Sequence, residues 1–184
     1  MVYDIGEYFR SPVIIKGDRV VLRKLTVADA GDMYEYAKRK DVTRYLLWEP
    51  HQSVDATKRY LKYLQKQYAK GRCFDFAVTL DGKMIGTVGF AGTDAENSAA
   101  EIGYVINPLY QNNGYATEAL GLIKDLAFGR LGIHRVFCRI LEGNEPSRRV
   151  CEKNGMCEEA FFRSALFIKG GFRSYYVYSA LNAG

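Results

Sequence analysis

Apolar and polar positions change period several times along the chain, and each change marks an element. Val20-Val21-Leu22-Arg23-Lys24-Leu25 is short and β-branched, which predicts a first strand. Thr26-Val27-Ala28-Asp29 resembles a capping box with Asp in the usual Glu position, so a helix is expected from there to about Lys38. Ser53 opens a second helix, Val54 to about Lys70, in which Tyr60, Leu61, Tyr63, Leu64 and Tyr68 recur at helical spacing. Gly71 ends it, because glycine adopts the left-handed C′ conformation without penalty.

From residue 74 the period shortens. Phe74 to Leu80 reads as a strand, Asp81-Gly82 as a hairpin turn and Met84 to about Ala91 as its partner. Asp94 to Ser98 is polar and loop-like, and Ala99 to Ile106 is a further strand that ends at Asn107-Pro108. After Gly114, the positions of Ala116, Ala119, Leu120, Ile123 and Leu126 trace one helix face up to Gly132. Arg135 to Ile140 is a strand. Asn144 begins a short helix with Pro146 in its first turn, which Gly155 terminates. Two aromatic-rich strands, near Cys157–Ala165 and Phe172–Leu181, flank a Lys169-Gly-Gly171 turn. The order is strand, two helices, three strands, helix, strand, helix, two strands: one mixed α/β sheet domain without repeats or linkers.

Length and composition narrow this further. A chain of 184 residues is the size of one domain, and 26% charged against 48% hydrophobic residues is a globular balance. The expected domain is 1–184, with 1–17 as an N-terminal extension. The net charge of +5 is mildly basic and suits an anionic small ligand, a weak nucleic-acid contact, or no charged partner at all. Charges of both signs alternate, as in Arg148-Arg149 followed by Glu152-Lys153, so no basic face for nucleic acid is expected. Cys73, Cys138, Cys151 and Cys157 form no C-x-x-C pair, and His51 and His134 lie far apart, so no metal site is expected. The cysteines read as small buried hydrophobes in a reducing interior. No signal peptide and no membrane span are expected, which makes the protein cytoplasmic in this reading.

The segment Tyr104-Val-Ile-Asn-Pro-Leu-Tyr-Gln-Asn-Asn-Gly-Tyr-Ala116 carries the chemistry. A strand ends, a loop turns, and a helix starts just after Gly114. The free N–H groups at such a start hold phosphate well, although small residues there equally serve a tight turn. The loop lacks the first glycine of a dinucleotide fingerprint and the Gly-Lys-Ser/Thr of a P-loop.

Gln111-Asn-Asn-Gly114-Tyr-Ala116 resembles the Q/R-x-x-G-x-G/A motif of the GNAT superfamily of acyl-CoA-dependent N-acetyltransferases. Asn144-Glu-Pro-Ser147-Arg-Arg-Val-Cys-Glu152-Lys153-Asn-Gly155-Met156 is similar to its second motif, N-x-x-S…E-K-x-G-[MF]. With Glu101-Ile-Gly-Tyr104, these resemble the RimJ/RimL branch, which includes acetyltransferases of ribosomal-protein N-termini. The resemblance spans Val20 to Leu181 and implies a mixed, mostly antiparallel twisted sheet of about seven strands with about four flanking helices.

The same resemblance implies a set of residues. The pyrophosphate of acetyl-CoA would lie on the backbone of Gln111, Asn112, Asn113, Gly114, Tyr115 and Ala116. Pantetheine would run along Tyr104, Val105 and Ile106, and Asn144 and Ser147 would contact pantetheine and sulfur. Asn112 and Asn113 stand where relatives often carry a basic residue. Asn144 also suits a plain helix N-cap. Ser147 or Tyr104 is expected to assist the leaving thiolate, and Glu101 is the candidate base, directly or through water. Phe161 to Gly171, where some relatives supply a carboxylate base, contains no acid. Trp48, Glu49 and His51 are candidates for the acceptor mouth. The implied activity is direct transfer of acetyl from acetyl-CoA to a primary amine, a protein N-terminus or a small molecule, in a ternary complex by a monomer or homodimer. The opposing reading is a catalytically weak acyl-CoA sensor or scaffold of the same fold.

Overall fold

The computed structural model describes residues 5–183. Eight strands form one sheet among the described residues: β1 (Ile14–Lys16), β2 (Val21–Arg23), β3 (Asp75–Leu80), β4 (Lys83–Asp94), β5 (Ala99–Ile106), β6 (Arg135–Leu141), β7 (Cys157–Ile168) and β8 (Gly171–Leu181). Their order is β1-β2-β3-β4-β5-β6-β8-β7. Among the described residues six α-helices accompany them: α1 (Ile5–Arg10), α2 (Ala30–Ala37), α3 (Lys40–Thr43), α4 (Val54–Ala69), α5 (Tyr115–Asp125) and α6 (Glu145–Lys153). The strand and helix counts exceed the expected seven and four because α1, β1 and α3 are too short to show a period. Of the extension expected at 1–17, residues 1–4 lie outside the described residues. Its remainder packs on the body, with Phe9 fully buried against Phe74, Phe76 and Phe90.

Turn chemistry sets the two tight hairpins. Asp81-Gly82 and Lys169-Gly170 both have positive φ at the two central positions, which matches the right-handed twist of the flanking strands. β7 runs three residues beyond the expected Ala165, to Ile168, which pairs with Gly171. β7 is also the edge of the sheet, and this corrects one expectation: Cys73, Cys138 and Cys151 are buried, but Cys157 opens the edge strand and is exposed.

Every strand pair is antiparallel except β5–β6, which is parallel and pairs only over Ala99–Glu101 and Arg135–Phe137. Beyond Glu101 the two strands part, leaving a wedge at the C-terminal end of β5. Backbone alternation decides which groups face that wedge. The N–H of Asn107 bonds back to Ile85 of β4, and Ser98 O accepts from Arg135 of β6. Even-numbered residues of β5 therefore turn their backbone edge towards β6, and Tyr104 and Ile106, rather than Val105, present it in the wedge.

The entry to α2 is held by a nearly buried carboxylate. Asp29 accepts from the N–H and hydroxyl of Thr26 at 2.7 and 3.1 Å and pairs with both guanidinium nitrogens of Arg23 at 2.6 and 2.9 Å. Burial alone would raise its pKa, but Arg23 and Thr26 outweigh burial and hold it below the ordinary 3.8. A depressed folded pKa contributes stability that is present above the unfolded value and lost as pH falls through the folded one. Asp29→Asn is therefore expected to cost about 3 kcal/mol at pH 7, by leaving Arg23 unpaired. It also flattens the loss of stability below about pH 4. Urea unfolding at pH 7 and 3 checks this, and a cost under about 1 kcal/mol at pH 7 contradicts it.

Candidate functional site

A cleft of ≈ 450 Å³ opens where β5 and β6 part. Its floor is Tyr104, Val105 and Ile106. One wall is the loop and first turn of α5, with Gln111, Asn112, Gly114, Tyr115 and Ala116, and the other is the first turns of α6 with Asn144 and Ser147. Segments about thirty residues apart in sequence meet because α5 and α6 pack side by side.

The α5 wall is built to receive an anion. Gly114 has φ +83°, so it closes the loop and starts the helix in a conformation costly for any side chain. The first turn then points its unpaired N–H groups and partial positive charge into the cleft. Gln111 Nε2 donates to Ile106 O at 2.9 Å, which clamps the loop onto the end of β5. Asn113 is not among the lining residues, because its amide folds back onto Tyr110 O and Gln111 O.

Positive charge reaches this wall from elsewhere in the chain. Arg19 Nη1 donates to Asn113 O at 2.8 Å, its guanidinium lies over the Tyr115 ring at 5.0 Å, and a Cβ on Gly114 would stand 3.2 Å from its Nη2. Glu118 fixes Arg19 there, accepting from its N–H at 2.7 Å and its Nε at 3.0 Å, and also from Val20 N–H at 2.9 Å. Arg149 and Lys153 line the opposite wall. These three cations stand around the cleft beside Asn112 and Asn113, which carry no charge themselves. Sequence reading missed them. The i, i+3, i+4, i+7 spacing of Pro146, Arg149, Val150 and Lys153 was the available signal for one cleft-facing stripe of α6. Arg148, next in line, is spent structurally on Tyr178, Glu145 and Glu158. Reversing both cleft cations, Arg149→Glu with Lys153→Glu, is expected to weaken CoA binding about tenfold at low salt and to flatten its salt dependence. Calorimetric titration at two ionic strengths reads both; an affinity within twofold of wild type contradicts the placement.

The α6 wall presents uncommitted polar groups. The Asn144 side chain makes no capping hydrogen bond, so the N-cap role does not consume it. The backbone of Ser147 is held at both ends: its N–H donates to Asn144 O at 3.1 Å, and its carbonyl accepts from Tyr104 Oη at 3.0 Å. Burial pushes the Tyr104 phenol well above its ordinary pKa. With its proton already given to Ser147, Tyr104 positions the first turn of α6 and is poorly suited to donate elsewhere.

Two expected placements are not met by this cleft. Glu101 does not line it. Its side chain leaves the opposite sheet face from Tyr104, and both its oxygens accept from Arg139, at 2.8 and 2.7 Å. Trp48, Glu49 and His51 also lie off it. The chain turns away after Leu46, since His51 N–H bonds to Ala37 O at 3.0 Å and draws the loop onto the end of α2. There His51 Nδ1 meets Thr57 Oγ1 at 2.8 Å, the Trp48 and Tyr60 rings lie 5.4 and 5.6 Å away, and burial lowers the imidazole pKa. In their place Tyr45 and Leu46 border the cleft. Tyr45 Oη donates to Gly143 O at 2.9 Å, and Lys169 of the β7–β8 turn caps Thr43 O at 2.6 Å. The α3 segment is thus tied to both neighbours at the mouth.

Comparison with known proteins places the fold in a family. Residues 19–157 match the family model described as Acetyltransferase (GNAT) domain. The chain is 30% identical over 159 residues to YoaA, an uncharacterized N-acetyltransferase of Bacillus subtilis, covering 85% of this chain and 90% of that one. It is 28% identical to the spermidine N(1)-acetyltransferase of Escherichia coli K12, covering 84% and 82%. A solved GNAT-family acetyltransferase from Bacillus anthracis superposes with a TM-score of 0.83 at 28% identity, covering 94% of this chain and all of that one. RimL, a ribosomal L7/L12 alpha-N-protein acetyltransferase solved with coenzyme A, shares the fold at a TM-score of 0.80 and 20% identity, covering 92% and 98%.

Proposed function

The chain belongs to the GNAT acetyltransferase family, and from that premise we propose that acetyl-CoA binds in the β5–β6 wedge and gives its acetyl directly to a primary amine in a ternary complex. The observation that carries the reading is the parting of β5 from β6 beside the N-terminus of α5. It leaves a strand edge for an extended amide chain, on which the Ile106 carbonyl already accepts from Gln111, and an anion cradle at the end of that edge. The donor supplies an activated thioester. The residues of this chain do the rest.

In this reading the N–H groups of the Gly114–Ala116 turn hold the pyrophosphate, with Arg19, Arg149 and Lys153 around it. The Tyr104 and Ile106 backbone edges pair with the pantetheine amides as a neighbouring strand would. An N–H on that edge, fixed before the reaction starts, stabilises negative charge developing on the carbonyl oxygen. Ser147 Oγ donates to the sulfur as it leaves. The amine must arrive unprotonated. Glu101 lies off the cleft with both oxygens accepting from Arg139, so in this reading no carboxylate takes the proton and rates should follow the free-amine fraction as pH rises. The acceptor is a primary amine, a small molecule or a peptide N-terminus. That a relative acts on spermidine supports trying small amines first.

Thiol release from acetyl-CoA over a panel of amines and N-terminal peptides, with the acetylated product identified by mass spectrometry, tests the reading. Acceptor-dependent release of one thiol per acetylated amine is expected. Tight CoA binding with no release for any acceptor would sink it in favour of a sensor.

A further inference from the structure

The step from β6 to α6 is a four-residue turn. Asn144 N–H returns to Leu141 O at 3.0 Å, and Gly143 takes φ +86° at the third position, the sign a type II turn requires there. Asn144 then sits at φ −91°, ψ 61°, outside the helical and extended regions, and its side chain makes no capping hydrogen bond. Yet the start of α6 hangs on this residue. The N–H groups of Ser147 and Arg148 both donate to Asn144 O, at 3.1 and 3.3 Å. Whatever fixes the Gly143–Asn144 peptide therefore fixes where the first turn of α6 lies and where Ser147 Oγ stands.

The hold comes from a residue ninety-eight positions away. Tyr45 Oη donates to Gly143 O at 2.9 Å, and it lies against the turn itself, since a Cβ on Gly143 would stand 3.5 Å from it. The backbone that presents Tyr45 is fixed in its turn. Thr43 O accepts from Leu46 N–H at 2.9 Å, which closes the chain around Tyr45, and from Lys169 Nζ at 2.6 Å, a charge-assisted bond from the β7–β8 turn. The Arg44 guanidinium lies over the Tyr45 ring at 5.2 Å. The circle closes at Glu142, whose N–H donates to Ser174 O of β8 at 3.0 Å. Three segments distant in sequence thus brace the two residues that precede α6.

We propose that Tyr45 is a positioning residue for Ser147. Through Gly143 O it sets the Gly143–Asn144 peptide, and through Asn144 O the first turn of α6, so that Ser147 Oγ meets the thioester sulfur. The inference rests on acetyl transfer in the cleft and adds a residue to it. Ser147 is then held from two sides: Tyr104 Oη takes its carbonyl, and Tyr45 governs the group that takes its N–H. Placement matters because a shift of about 1 Å in a reacting group can cost about 100-fold in rate. With the Tyr104 bond intact, loss of the Tyr45 hydroxyl tilts the turn without freeing it. The expected loss in kcat is therefore about five- to tenfold, the worth of one neutral hydrogen bond.

The experiment is a double-mutant cycle with acetyl-CoA as donor and, as acceptor, the amine or N-terminal peptide of the panel that is acetylated fastest. Tyr45→Phe keeps the ring and removes only the donor. It should lower kcat by about five- to tenfold, with calorimetric CoA affinity and the acceptor KM within about twofold of wild type. The loss should shrink with a thioester whose thiol is more acidic. In a Ser147→Ala background the same substitution should change kcat by less than about twofold, because the group it positions is gone. A residue that touched substrate or only supported the fold would keep its full effect there. A loss that persists in that background, a loss carried by KM, or an unchanged kcat overturns the proposal. Wild type without turnover for any acceptor overturns the transfer reading and this proposal together, whereas normal turnover with Tyr45→Phe unaffected overturns this proposal alone.

Discussion

Gly114→Asp should weaken CoA binding at least 100-fold. Three effects act together at this position. The residue sits at φ +83°, where an L side chain costs about 1–2 kcal/mol. Its Cβ would point at Arg19, whose Nη2 lies 3.2 Å from that position. The new carboxylate would therefore take the guanidinium that otherwise serves the anion, and it would set a like charge against phosphate at the turn where the helix N–H groups converge. The fold itself should survive, because the strain of one left-handed residue is small beside the stability of a domain this size. Gly114→Ala separates the terms: it carries the strain without the charge and should lose about tenfold or less. Calorimetry with CoA reads both. An affinity for the Asp variant within threefold of wild type would remove the phosphate from this turn.

Ser147→Ala should lower kcat by about 100-fold and leave CoA affinity within twofold of wild type, the lower end of what a positioned proton donor contributes. The backbone of Ser147 is pinned at both ends by Asn144 O and Tyr104 Oη, so deleting the hydroxyl leaves the first turn of α6 in place. A thiolate leaving without a proton makes the poorest step poorer, and the defect should shrink when the leaving thiol is made more acidic. Steady-state rates with acetyl-CoA and with a more reactive thioester analogue show this split. An unchanged kcat would reduce Ser147 to a polar first-turn residue. Tyr104→Phe provides the contrast. It loosens the Ser147 carbonyl without touching the hydroxyl, so its loss should be smaller and should extend to CoA affinity.

Much of this molecule could be read along the chain, for a physical reason that the elements themselves display. α4 and the hairpin at Asp81-Gly82 are each decided by residues within a turn or two of one another, so period and turn chemistry are enough to find them. The strand–loop–helix segment proposed as the anion cradle was legible for the same reason: strand end, loop and helix start are contiguous from Tyr104 to Ala116. Asn144 and Ser147 were legible through a resemblance rather than through any local rule. α3 was not, because four residues carry no period and it owes its place to the ties at Tyr45 and Lys169.

The fate of the charged residues was decided only in three dimensions. Arg19 gives no signal where it stands before β2; it becomes part of the cradle because Glu118, ninety-nine positions away, accepts its N–H and its guanidinium. Glu101, the candidate base in the sequence, has Arg139 set beside it by the parallel β5–β6 register. The sequence by itself determined the longer elements, their turns and the contiguous strand–loop–helix segment at Tyr104–Ala116, since hydrogen bonds between near neighbours settle those. The tertiary structure alone decided which charges are spent on each other and which remain for a ligand, because that depends on register between strands whose residues meet only when the sheet closes.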